Sequence, residues 1–185
     1  MDLPSLSSLQ ASGATPHYFG LGFIQLKLDQ ERRLHFWTPD WPTIPGNDSE
    51  IHNHRYAFAS TVLKGALDQV VYAMGKLHAI PVEGAMEVVE VSCQPGSEEK
   101  PVLVGYATPS ARVAHRIEAG SSYTLLPDDF HVANAVGDTI TLVIRGPVVN
   151  EKARVLRPLE AAFTCPFSIE KTPQECWDRI EKMLS

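Results

Sequence analysis

The 185-residue chain is 44% hydrophobic and 21% charged, a balance that suits one globular domain and excludes an intrinsically disordered chain. A net charge of -6 argues against the basic surface that nucleic-acid phosphates require, so no nucleic-acid partner is expected. No stretch reaches the ~18 consecutive apolar residues of a membrane span, and MDLPSLSSLQASGATPHYF lacks the basic and apolar regions of a secretion signal. The expectation is a cytoplasmic protein with no membrane partner.

In chain order, residues 1–16 read as a flexible, Ser- and Pro-rich lead-in. HYFGLGFIQLKLDQERRLHFWT then alternates through Phe23, Gln25 and Lys27 and again through Arg33, His35 and Trp37, predicting two strands around the polar turn DQER. PDWPTIPGNDSE is a loop by its proline and glycine content. Short β-prone runs follow: HNHRYAFASTVLKG, ALDQVVYAM, AMEVVEVSC, VLVGYATP, ARVAHRIEA, SSYTLLP, FHVANAV and DTITLVIRGPVV. The turn signals KG, QPGSEE, EAGS, PDD and VGD separate them, which predicts an all-β sandwich or barrel over residues 17–149. Residues 150–185 form a C-terminal extension. There PLEAAF allows one helical turn, and Thr172, Pro173 and Glu175 open a short amphipathic helix over about 172–184. Cys176, Trp177, Ile180, Met183 and Leu184 share its apolar face. The whole reads as a single domain.

Three cysteines, Cys93, Cys165 and Cys176, with no C-x-x-C pair favour reduced, buried thiols over disulfides or a thiolate zinc site. The histidines are more informative. Successive strand side chains alternate faces, so His52 and His54 point the same way, about 7 Å apart. Two imidazoles at that spacing can reach one ion at about 2.1 Å. Far downstream, AGSSYTLLPDDFHVAN contains a glycine turn, Pro127, His131 and Asn134.

These residues resemble the two motifs of the cupin superfamily. Gly46, His52, His54 and Gly65 fall in register with G-x5-H-x-H-x3,4-E-x6-G. Gly120, Pro127, His131 and Asn134 approximate the second motif, with three gaps altered by one residue and Asp129 replacing a glycine. The resemblance covers roughly residues 46–147 and implies a cupin-like jelly-roll β-barrel. The acidic position of the first motif falls at Phe58 or Ala59, neither of which binds metal.

Three neutral imidazoles leave the +2 charge of a metal uncompensated and coordination positions open. Within the cupins this is similar to the thiol dioxygenases of the cysteine dioxygenase type, whose three iron ligands match His52, His54 and His131. The resemblance implies an Fe(II) dioxygenase that takes an anionic thiol or carboxylate and O2, with Zn, Ni or Mn as other ions. It weakens after the third ligand: Thr141, Val143 and Arg145 stand where that family has serine, histidine and tyrosine, and Ala59 replaces the crosslinking cysteine of the animal enzymes. Cysteine is therefore not the expected substrate.

Alternation places Thr139, Thr141, Val143 and Arg145 on one face. If that face lines the barrel, Thr141, Val143 and Arg145 belong to a substrate site with Tyr56 and Phe58, and Arg145 grips a carboxylate. If not, Arg145 reaches solvent from a strand end. His35 and Asn134 are candidates for supporting the ligands from behind, although a satisfied, partly buried His35 suits the pattern as well. Arg32 and Arg33 read as solvated, with either able to reach a substrate carboxylate. His115 resembles His35 in character, while His17 and His78 fall in loops. Two other functions fit the fold: a non-oxidative metal-dependent isomerase or lyase, and a small-molecule-binding module without turnover. Exposed edge strands would permit a homodimer.

Overall fold

The computed structural model describes residues 3–44, 50–92, 100–161 and 169–185. Eleven strands carry the fold: β1 (Pro16–Phe19), β2 (Phe23–Lys27), β3 (Arg32–Trp37), β4 (Ile51–His52), β5 (Phe58–Met74), β6 (Met86–Val91), β7 (Val102–Ala107), β8 (Pro109–Glu118), β9 (Ser122–Leu125), β10 (Phe130–Arg145) and β11 (Ala153–Arg157). Helices α1 (Leu6–Ala11) and α2 (Pro173–Leu184) flank them.

The centre of the fold is the antiparallel pair of long strands β5 and β10, joined from Phe130↔Tyr72 to Arg145↔Phe58. At one end β10 continues through β4 to β11, β6 and β7, while β8 covers the outer edge of β5. At the other end β10 continues through β3 to β2 and β1, and β9 covers β5. Between the two ends the register shifts twice, around Val136, Ile140 and Thr141. A bulge of this kind bends a strand pair and strengthens its twist, so one ladder feeds two sheets. The result is an all-β, jelly-roll-like fold with the cavity between the two arms of the bent sheet.

Glycine makes the bend possible. Gly65 has φ 77° and Gly137 φ 70°. A Cβ on Gly65 would collide with Thr139 Oγ1 and sit 2.6 Å from the Asp138 carbonyl oxygen. KG and VGD therefore do not end strands as expected: both glycines lie inside β5 and β10, as bulges rather than turns. DQER does turn the chain, but the segment before it carries two strands, β1 and β2, rather than one.

The ends of the chain depart from expectation as well. The lead-in contains α1, capped by Ser5, and its Leu9 is buried against the α2 cluster. The sheet extends past residue 149, because β11 fills the gap between β4 and β6. PLEAAF begins as a turn, with the Ala161 N–H donating to the Pro158 carbonyl; its last two residues lie outside the described ones, as do Gly46, Cys93 and Cys165. At α2 the Thr172 hydroxyl accepts from the Glu175 N–H, and the Glu175 carboxylate accepts from the Thr172 N–H. Cys176, Ile180 and Met183 are fully buried against Tyr18, Ile24 and Leu26.

Helix α2 also braces the bend. Lys64 Nζ donates to the Met183 carbonyl, and Arg179 bridges Asp40 and Asp138 at 2.7 and 2.6 Å. Lys64 and Asp138 flank the two bulge glycines, so the helix clamps the corner from outside. Among the described residues no helix is long and apolar enough to cross a membrane.

Gly65→Ala, which must adopt a left-handed backbone against Thr139, is expected to lower unfolding free energy by more than about 1 kcal/mol. Ile180→Ala should cost about 2–5 kcal/mol by leaving a cavity at a sealed contact. Urea midpoints measure both.

Candidate metal centre

Strand β4 ends at His52, directly opposite His131 of β10 in register. The chain then leaves the sheet, and Asn53 determines how. Its buried side chain accepts from the Arg154 N–H at 2.6 Å, and its own N–H donates to the Arg154 carbonyl at 3.0 Å. Pinned in this way, the loop returns His54 to the side of His52 even though His54 lies outside any strand.

The three rings face one another. Ring centroids lie 4.7 Å apart for His52 and His131, 5.0 Å for His52 and His54, and 5.1 Å for His54 and His131. His54 Nε2 and His131 Nε2 are 2.9 Å apart. One ring nitrogen from each histidine falls within 4.8 Å of the others, which makes this the cluster, among the described residues, able to hold a metal ion. The donor set fits a divalent ion of intermediate softness such as iron, zinc or nickel.

Burial pushes the pKa of all three histidines below the usual 6.5, and for His54 the neighbouring His52 and His131 add to it. The neutral form, with a free lone pair, is the one a metal binds. For His52 the Nδ1–H donates to the Glu50 carbonyl at 3.0 Å, which leaves Nε2 bare. His131 Nδ1 lies 3.2 Å from Gln69 Nε2.

The cluster stands on the wall of a cavity of about 600 Å³. Tyr56, Phe58, Val143 and Arg145 also line it, and the Phe58 ring meets His54 edge-on at 4.7 Å. Arg145 reaches the cavity wall, its Nε donating to the Gln30 carbonyl at 2.7 Å. Thr141 shares that face but is sealed off, because Trp37 Nε1 donates to its hydroxyl. Asn134 lies three residues from His131, an odd offset that puts it on the opposite face of the strand, and it is exposed. His35 lines the cavity without touching a ligand; it hydrogen-bonds Gln25 at 3.1 Å and stacks on Phe23.

Three residues gain weight that the sequence did not give them. Arg33 is not solvated: it lines the cavity, donates to the Tyr56 hydroxyl at 3.1 Å, and its buried Nε has no partner. Arg33 and Arg145 both lie over the Tyr56 ring, 5.5 and 5.3 Å from its centre, and among the described residues neither has a carboxylate partner. Glu50 is the one carboxylate among the described lining residues, and burial pushes it up to about 7 against the pull of Arg157. Its spacing of two from His52 was the available signal. Gln69, buried behind His131, had none.

No family model and no curated protein matches the sequence. Among solved structures, hydroquinone 1,2-dioxygenase PnpCD in complex with Cd2+ and 4-hydroxybenzonitrile is similar over 80% of each chain, at 9% identity and a TM-score of 0.31.

Burial and the nearby Arg33 push His35 down to about 3 from 6.5. The fold therefore holds it neutral while the unfolded chain protonates near 6.5, so its contribution is intact above that pH and is lost as pH falls toward 3. Urea titrations across that window should show stability falling with acid, with a shallower slope for His35→Gln.

Proposed function

We propose that the chain is a metal-dependent dioxygenase, with Fe(II) as its ion, acting on a small anionic substrate that carries a thiolate or carboxylate. The observation that carries this reading is one cavity wall holding three neutral imidazoles together with two guanidiniums that, among the described residues, lack carboxylate partners. When bound, the ion would supply an electrophilic centre with positions open to an anionic donor and to O2. His52, His54 and His131 would hold it without adding negative charge.

The remaining work falls to the chain. Arg33 and Arg145 bind the substrate's anionic group, and their anchorage on Tyr56 and Gln30 fixes them before binding, which lowers the ordering cost. Phe58 and Val143 form the apolar wall that keeps water from the bound donor. Lys27 and Arg55 also line the cavity, so among the described lining residues four cations face the single carboxylate of Glu50. In a chain of net charge -6, that local excess draws anions inward.

The resemblance to three-histidine thiol dioxygenases supports the ligand set. It does not extend to the acid/base groups, because Thr141, Val143 and Arg145 occupy those positions, and cysteine is not the substrate proposed. A cytoplasmic location, a small anion and O2 as partners belong to the same proposal. Glu50 favours one second reading, a non-oxidative isomerase or lyase that uses Zn, Ni or Mn and takes Glu50 as its carboxylate.

Protein loaded anaerobically with Fe(II) should consume O2 only when a thiol or carboxylate substrate is added, and His131→Ala should not. Proton abstraction or isomerisation supported by Zn without O2 uptake would replace this reading with the second. Arg33→Met and Arg145→Met should each weaken anion affinity about 10- to 100-fold, the worth of a charge-assisted hydrogen bond. Calorimetric titration with the same anion measures that loss.

A further inference from the structure

We infer that Gln69 sets the proton position on His131 and, through it, the affinity of the three-histidine centre for a divalent ion; this rests on the metal reading above. Gln69 is 2% exposed on β5, a position where an aliphatic side chain would cost less to bury. It pairs with Ala133, two residues along β10 from His131, and its amide reaches His131 Nδ1 at 3.2 Å.

With the amide nitrogen toward it, Nδ1 accepts, and a neutral His131 ring then carries its proton on Nε2. In that tautomer the proton would lie on the 2.9 Å line between His131 Nε2 and His54 Nε2. Ion binding through both Nε2 atoms requires the opposite arrangement: the proton leaves Nε2 and one is taken up at Nδ1. The same amide serves this state after half a turn about its terminal bond, because its oxygen then accepts from Nδ1–H. Glutamine thus satisfies His131 in both states.

His52 has no such choice. Its Nδ1 faces a backbone carbonyl, which only accepts, so its Nε2 is permanently free. His131 is the ligand with an adjustable partner, and Gln69 is a positioning residue acting through it. A carboxylate at 69 would satisfy only the ion-binding tautomer, and an aliphatic side chain neither.

The test is titration of the full chain with Co(II), followed by its visible absorption, for wild type, Gln69→Glu and Gln69→Leu. Each variant is first checked for folding by thermal melting without ion. Gln69→Leu should bind about 10- to 100-fold more weakly than wild type, and Gln69→Glu at least as tightly. Imidazole 15N spectra should show Nδ1 of His131 bare in the wild type and protonated in Gln69→Glu, a change that a packing role would not produce. Equal affinity in all three proteins with an unaltered His131 tautomer would overturn the inference and leave the metal reading standing. Absence of Co(II) binding in the wild type would overturn both.

Discussion

Everything at the site depends on the pairing of β5 with β10 across a shared bulge. A straight ladder would produce one broad sheet with its faces in solvent. The bend at Gly65 and Gly137 lets the same two strands belong to both sheets, so residues at opposite ends of β10 look into one cavity. His131 meets His52 at one end, and Arg145 stands beside Phe58 at the other. Helix α2 holds that corner closed through Lys64 and Asp138, which explains why a helix remote from the cavity matters to its shape.

The electrostatics follow from this enclosure. Three imidazoles so close together tolerate burial because all are neutral, and burial itself keeps them so. The Arg33 guanidinium in the same cavity opposes any added positive charge, and burial already lowers its own pKa. A cation at the histidines and an anion at the arginines would therefore assist one another. Reciprocal linkage requires that each raise the other's affinity by the same factor. A cavity built this way favours the ion and the anion together over either alone.

Sequence carried the locally encoded parts. The H-x-H spacing marked the ligand pair, but the reason differs from strand alternation, because His54 lies outside β4 and the Asn53 bonds to Arg154 turn it back beside His52. The α2 start follows from a reciprocal cap whose members lie three residues apart. Long-range features were out of reach. A glycine with positive φ serves a turn and a bulge equally well, so β5 and β10 each read as two strands. Arg33 shares a face with His35 and Trp37, but alternation does not say which face turns inward. Motif spacing suggested Asn134, whereas its odd offset from His131 already placed it on the other side. Thr141 was assigned to the correct face, and only the long-range contact with Trp37 removes it from the cavity. Gln69 depends on the register of two strands about sixty residues apart, which no local pattern encodes.

The central claim is that His52, His54 and His131 bind one ion together. X-ray absorption on protein carrying one equivalent of Fe(II), prepared anaerobically, tests it most directly. Three imidazole nitrogens at about 2.1 Å are expected, falling to two in His54→Ala. An environment of oxygen donors alone, or a spectrum indifferent to His54→Ala, would contradict it.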